Sequence, residues 1–177
     1  MEQEPDRLQG ISDDLSGSGS IARARSLGAE LVAVHQWLRA ELARIRDDAA
    51  SGSGLPAPLQ AHCIAFCQAL TSHHSSEDDT AFDALGAAFP DLADVLEQLR
   101  QDHRLVAGIV AQLNQILATL TPDKSVQLLR ELDGLTAILE SHFQWEERRL
   151  VAALDALEPR PSSTDFFGLE NQLRQRL

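Results

Sequence analysis

The chain has no tyrosine, a single methionine, two tryptophans and only 5% aromatic residues. Strands draw on aromatic and β-branched side chains, so a sheet protein lacks its materials here, while plentiful leucine and alanine favour packed helices. Positive charge is short as well. Lys and Arg number 15 against 27 Asp and Glu, a formal charge of −12 with a pI near 4.8. That balance argues against a nucleic-acid surface or an anionic membrane as partner, and reads mainly as solubility. No stretch approaches the roughly 18 uninterrupted apolar residues of a membrane span. The opening Met1-Glu2-Gln3-Glu4-Pro5-Asp6 has no apolar run behind it, so no signal peptide is expected. Cys63 and Cys67 lie four apart in one helical pattern, a poor basis for a disulfide framework, and the cytoplasm is the expected compartment. Neither a Gly-rich phosphate loop after a strand nor a nucleophile elbow is present.

What is there is enough apolar content, 44% of 177 residues, for one domain with a real core. Residues 1–20 end in Ser16-Gly17-Ser18-Gly19-Ser20 and read as a flexible arm. A helical region over 21–157 follows. Its first helix runs from about Ile21 to Ala50 on a stripe of Leu31, His35, Leu38, Leu42 and Ile45, and stops at the Ser51-Gly52-Ser53-Gly54 loop. The second carries Leu59, Cys63, Phe66, Leu70, His73, Glu77 and Ala84, ending at Phe89-Pro90. Asp91 is expected to cap the third, whose stripe is Leu92, Leu96, Leu99, His103, Val106, Val110, Leu113, Leu117 and Leu120. Thr121-Pro122-Asp123 reads as the start of a fourth helix, reaching about Leu157. The tail 158–177 holds a short amphipathic candidate with Leu169, Leu173 and Leu177 in line, suited to the bundle or to a protein partner.

The fourth helix carries the sharpest anomaly. Its stripe of Leu128, Leu132, Leu135 and Leu139 continues into His142 and Glu146 before apolar residues resume at Leu150. A base and an acid stand where a core needs leucines. An ionised carboxylate buried without a partner costs several kcal/mol, so something positive belongs at that depth, and a metal ion is the obvious candidate. Residues four apart lie about 40° around and about 6 Å along a helix, so both reach one centre.

The anomaly is repeated. His35 precedes His73 by 38 positions and His103 precedes His142 by 39, and each later histidine has Glu at its fourth following residue, Glu77 and Glu146. The chain thus reads as two similar hairpins, and an antiparallel up-down four-helix bundle brings these residues to one level. Four His and two Glu exceed what one tetrahedral zinc uses and fit a dinuclear site. With both glutamates bridging and an oxo or hydroxo bridge added, each metal keeps a vacant position. Imidazole with carboxylate suits iron or manganese, and open positions beside redox-active metals suit oxygen chemistry.

The order H, H-x3-E, H, H-x3-E on four successive long helices resembles the hemerythrin-like HHE cation-binding domain, a non-haem di-iron four-helix bundle. The resemblance covers about residues 21–157 and implies that His35, His73, Glu77, His103, His142 and Glu146 bind two iron ions. Two departures stand out. Oxygen-carrying members have a further histidine one turn after the third-helix ligand, where this chain has Ala107, and an Asp five residues after the last His, where it has Glu147. Glu147 is therefore the alternative to Glu146.

The expected function is a di-iron centre that reacts with peroxide, oxygen or nitric oxide; the alternatives are an iron or oxygen sensor and an oxygen-binding module without turnover. Ferritin-like enzymes are set aside because they use carboxylate-rich E-x2-H pairs. His74, 100° off the stripe, reads as a flank residue with an extra ligand as the alternative reading. His62 lies about 16 Å from His73 along the helix and cannot share the centre. Cys63 reads as core, with a redox or zinc group of His62, Cys63 and Cys67 as a minor alternative. Trp145 reads as packing beside the site and the nearest aromatic to it.

Overall fold

The computed structural model describes residues 26–51, 57–119, 121, 124–158, 162 and 166–168. The 1–20 arm, residues 52–54 of the Gly-Ser loop, Leu120 of the third stripe, Pro122-Asp123 and the Leu169–Leu177 stripe lie outside the described residues. Among the described residues there is helix and turn and no strand. The helices are α1 (Leu27–Ala50), α2 (Ala57–Ser76), α3 (Phe82–Ala88), α4 (Ala93–Ala118) and α5 (Ser125–Asp155). A π-helical turn, Glu77–Ala81, joins α2 to α3, so the described residues make four long helical runs.

Each boundary has a local cause. Ser26 caps α1, its Oγ accepting from Ala29 N at 3.2 Å. Asp91 does not cap the third run as expected. Pro90–Leu92 form a 3-10 turn and α4 starts behind Leu92 without a side-chain cap, since Pro90 sits at the first position of that turn and sets its geometry. The last run begins later than Thr121, with Lys124 N donating to Thr121 O at 2.9 Å before α5.

The π turn explains a second difference. It adds one residue to a turn, so the apolar register beyond Glu77 slips by one: Ala81, Phe82 and Leu85 are buried and Ala84 only half-buried. A strict helical stripe would have kept Ala84 inside.

α1 packs on α2 and α5, and α4 on α2 and α5. Gly28 lets α1 approach α5: a Cβ there would meet Val151 Cγ1 and its carbonyl oxygen at 2.8 Å, and its N–H donates to Asp155 Oδ1 at 2.8 Å. Further along the same pair, Arg39 reaches Glu140 and Glu147, and Arg46 pairs with Asp133. The core is apolar, mainly leucine with a few phenylalanines, apart from one polar layer in its interior. Among the described residues no helix is long and apolar enough to cross a membrane.

Candidate metal centre

The polar layer is built from the inward positions of four helical runs. α1 brings His35, α2 His73, the π turn Glu77, α4 His103, and α5 His142 and Glu146; each is at most 4% exposed. Their atoms converge. His35 Nε2 lies 3.1 Å from His73 Nε2, and His103 Nε2 lies 3.2 Å from His142 Nε2. The carboxylates connect the two pairs: Glu77 has Oε1 3.5 Å from His73 Nε2 and Oε2 3.7 Å from His103 Nε2. Glu146 Oε2 is 3.5 Å from both His35 Nε2 and His142 Nε2.

Outer groups orient the rings. His35 Nδ1 donates to Glu147 Oε1 at 2.9 Å, His103 Nδ1 to Asp78 Oδ1 at 2.9 Å, and His73 Nδ1 to the Phe167 carbonyl at 3.3 Å. His142 Nδ1 faces Asp102 Oδ2 at 3.6 Å, beyond hydrogen-bond reach. A ring whose Nδ1 proton is committed to an acceptor presents a lone pair at Nε2. His35 and His73 therefore point lone pairs at one another, an arrangement that calls for a cation between them.

Electrostatics points the same way. Burial pushes the pKa values of His35, His73 and His74 well below the ordinary value, and that of His142 down to about 2, so the rings are neutral donors. Burial first, then the Glu146 charge, raises Glu77; burial first, then the Glu147 charge, raises Glu146 to about 8. None of the four oxygens of Glu77 and Glu146 has a hydrogen-bond partner, and no Lys or Arg among the described residues pairs with them. Buried polar atoms are nearly always satisfied, so four orphaned oxygens in one layer fit a bound cation.

His74 belongs to this layer and is not a flank residue. Only 6% exposed, its ring stacks on His103 with centroids 4.0 Å apart, stands edge-on to His142 at 5.2 Å, and leaves Nε2 without a partner. The reason is that α2 packs on both α1 and α4, so it has two inward faces: His73 serves one and His74 the other. The sequence signal was the doublet itself, because His74 stands three residues before Glu77, also a neighbour spacing on a helix. Ala107 lines the same cavity of about 140 Å³ as His74 and His103, so a ring supplied by α2 borders the space next to that small side chain.

Among the described residues, three groups have ligand-type atoms within 4.8 Å of one another: His35 with His73 and Glu77; His74 with His103 and His142; and Glu77, His103 and Glu146. Glu147 stands outside them, 22% exposed and bound to His35 and Arg39. His62 Nε2 pairs with Glu41 at 2.7 Å, away from the layer. Cys63 and Cys67 are buried free thiols facing Ile45, Phe66, Leu113 and Leu132. Burial raises them to about 12 and about 11, so they stay protonated. Trp145 is not the nearest aromatic: it lies under Arg149, whereas Phe143 stacks on His35 at 4.0 Å and Phe82 on His103 at 5.5 Å. Phe143 was hidden for the same reason as His74, one position round the helix from the stripe.

Imidazoles and shared carboxylates closed inside a helical bundle, oriented by outer acceptors and lacking a cation of their own, define a helical metal-binding protein of the histidine–carboxylate type. Residues 27–160 match the family model of the hemerythrin HHE cation binding domain, and the chain belongs to the hemerythrin family. No curated protein and no solved structure matches the chain.

Proposed function

We propose that this hemerythrin-like chain holds two non-haem iron ions and takes up one small oxygen or nitrogen species there, dioxygen, hydrogen peroxide or nitric oxide. The reading rests on one observation above the rest: five buried imidazoles and two buried carboxylates meet in one layer, with lone pairs facing and carboxylate oxygens orphaned. An antiparallel up-down bundle accounts for how they meet. Gly28 with Asp155, Arg46 with Asp133, Gln60 with Leu117 and Asp78 with His103 support opposed directions for α1 and α5 and for the second and third runs.

Each residue has a role in this reading. His35 and His73 would hold one metal, His74, His103 and His142 the other, and Glu77 and Glu146, which lie between the two sets, would serve both. Glu147, Asp78 and the Phe167 carbonyl hold the Nδ1 protons, which keeps Nε2 free to bind. Phe143 and Phe82 shield the rings from water. Iron held by such a set supplies redox chemistry and an open coordination position.

His74 changes the count. His74 would add a third imidazole beside His103 and His142, so the more open side of the layer, where one small ligand would bind, would be that of His35 and His73, and a single open side would favour binding over turnover. Elemental analysis after anaerobic iron loading is expected to give two irons per chain, and a ratio near one, or zinc retained against iron, would sink the dinuclear reading. Mixing the reduced protein with oxygen then separates the two outcomes. Wild type is expected to give a visible absorption change reversed by an argon purge, and His74→Ala an irreversible oxidation. Irreversible oxidation of both, with peroxide or nitric oxide consumed, would return the centre to the reactive reading.

A further inference from the structure

Phe166, Phe167 and Gly168 follow α5, and Phe167 and Gly168 lie against α2, more than ninety residues earlier in the chain, at His73 of the metal layer. Phe166 and Phe167 are 1% and 2% exposed, packed edge-to-face with centroids 6.1 Å apart, and the Phe167 ring is 6.4 Å from that of His73. The backbone makes the closer link. The Phe167 carbonyl accepts from His73 Nδ1 at 3.3 Å, and the Gly168 carbonyl accepts from Ser72 Oγ at 2.9 Å. Gly168 has φ 61°, and a Cβ there would meet the Ser72 carbonyl oxygen at 2.4 Å and Ser76 Oγ at 2.6 Å. Only glycine combines that backbone with that approach. Phe167 and Gly168 are thus pressed onto one turn of α2, the turn that carries His73, with Phe166 packed on Phe167 behind them.

We propose that Phe166–Gly168 form a positioning strap for the metal centre: the Phe167 carbonyl holds the His73 ring, and the two phenylalanines close the His35 and His73 side against water. Among the described residues, His35 and His103 donate to carboxylates on neighbouring elements, His142 faces one at 3.6 Å, and His73 depends on a backbone carbonyl from the tail. The strap therefore controls how tightly that half holds its metal and how freely a small ligand reaches it. This inference rests on the metal reading above.

The test is the rate at which iron-loaded full-length protein loses iron to excess chelator, read with the exchangeable ring N–H resonances of the bound histidines. Losing an outer partner of a metal-bound histidine typically costs about 10–100-fold in affinity. Gly168→Val, which forces the strap off α2, is expected to speed iron loss at least about tenfold and to erase one ring N–H resonance. Ser72→Ala removes only the Gly168 hydrogen bond and should give a smaller acceleration in the same sense. Phe167→Leu keeps carbonyl and apolar bulk and should stay near wild type. Leu128→Ala controls for general loosening, since it destabilises the first turn of α5 and should leave iron loss unchanged. Wild-type iron retention in both Gly168→Val and Ser72→Ala, or equal acceleration by Leu128→Ala, overturns the strap while leaving the metal reading intact. A wild type that takes up no metal overturns both.

Discussion

Glu146 and Glu147 are adjacent in sequence and opposite in setting: one is fully buried with orphaned oxygens, the other is bound to His35 and Arg39 at the rim. Glu146→Gln is therefore expected to abolish stoichiometric iron binding. Glu147→Gln should keep the stoichiometry and weaken affinity about 10–100-fold, as loss of an outer partner does. Iron titrations of the two variants check this, and the opposite ranking would move the ligand one residue along. The metal-free protein should also respond to pH. Glu146 is raised to about 8 by burial and then by Glu147, with Glu77 raised in the same sense, so the stability of their protonated forms is fully present below the ordinary carboxylate value and is lost as pH rises through about 8. His35, His73, His74 and His142 are lowered, so their neutral forms stabilise above the ordinary imidazole value of 6.5, and that stability is lost as pH falls below it. Four imidazoles outweigh two carboxylates on the acid side. The melting temperature of chelator-treated protein is expected to peak near pH 6.5 and fall on both sides, with Glu146→Gln flattening the alkaline limb; a steady rise to pH 8.5 would contradict it.

At the scale of elements, the π turn does two things at once. It carries Glu77 into the layer and sets Asp78 on His103 Nδ1, and it moves the following apolar face by one residue. Removing one residue from a π turn restores an ordinary helix and leaves the registers on either side in phase. Deleting Asp79, which is exposed, should thus preserve helix content by circular dichroism while weakening iron binding, because Glu77 and Asp78 lose their placement. Full iron affinity in that deletion would deny the turn any part in the site. The layer around Cys63 and Cys67 has no such role. Held at about 12 and about 11 by burial, both thiols should resist alkylation in the native protein, and replacing both with Ala should leave iron content unchanged.

For the whole molecule, a cation that binds only the folded layer adds stability, about 2.7 kcal/mol per site at a free concentration a hundredfold above Kd. Thermal unfolding with and without iron should show that rise, and Glu146→Ala should remove it. The bundle and most of the layer were legible along the chain, because a helix displays its inward face as a 3.6-residue rhythm and a histidine or glutamate in that rhythm stands out against leucines. His35, His73, Glu77, His103, His142 and Glu146 were found that way. His74 and Phe143 were not, each lying one step off its stripe on a helix that packs against two neighbours. Leu85 displaced Ala84 because the π turn shifts the apolar face by one residue, which a strict 3.6-residue rhythm does not allow for. By itself the sequence determined which residues share a helix face and at what height, since both follow from local geometry. Only the tertiary structure decided that a second α2 histidine joins the layer and that Phe167 reaches His73, because such contacts depend on which distant element covers a face and periodicity carries no record of that.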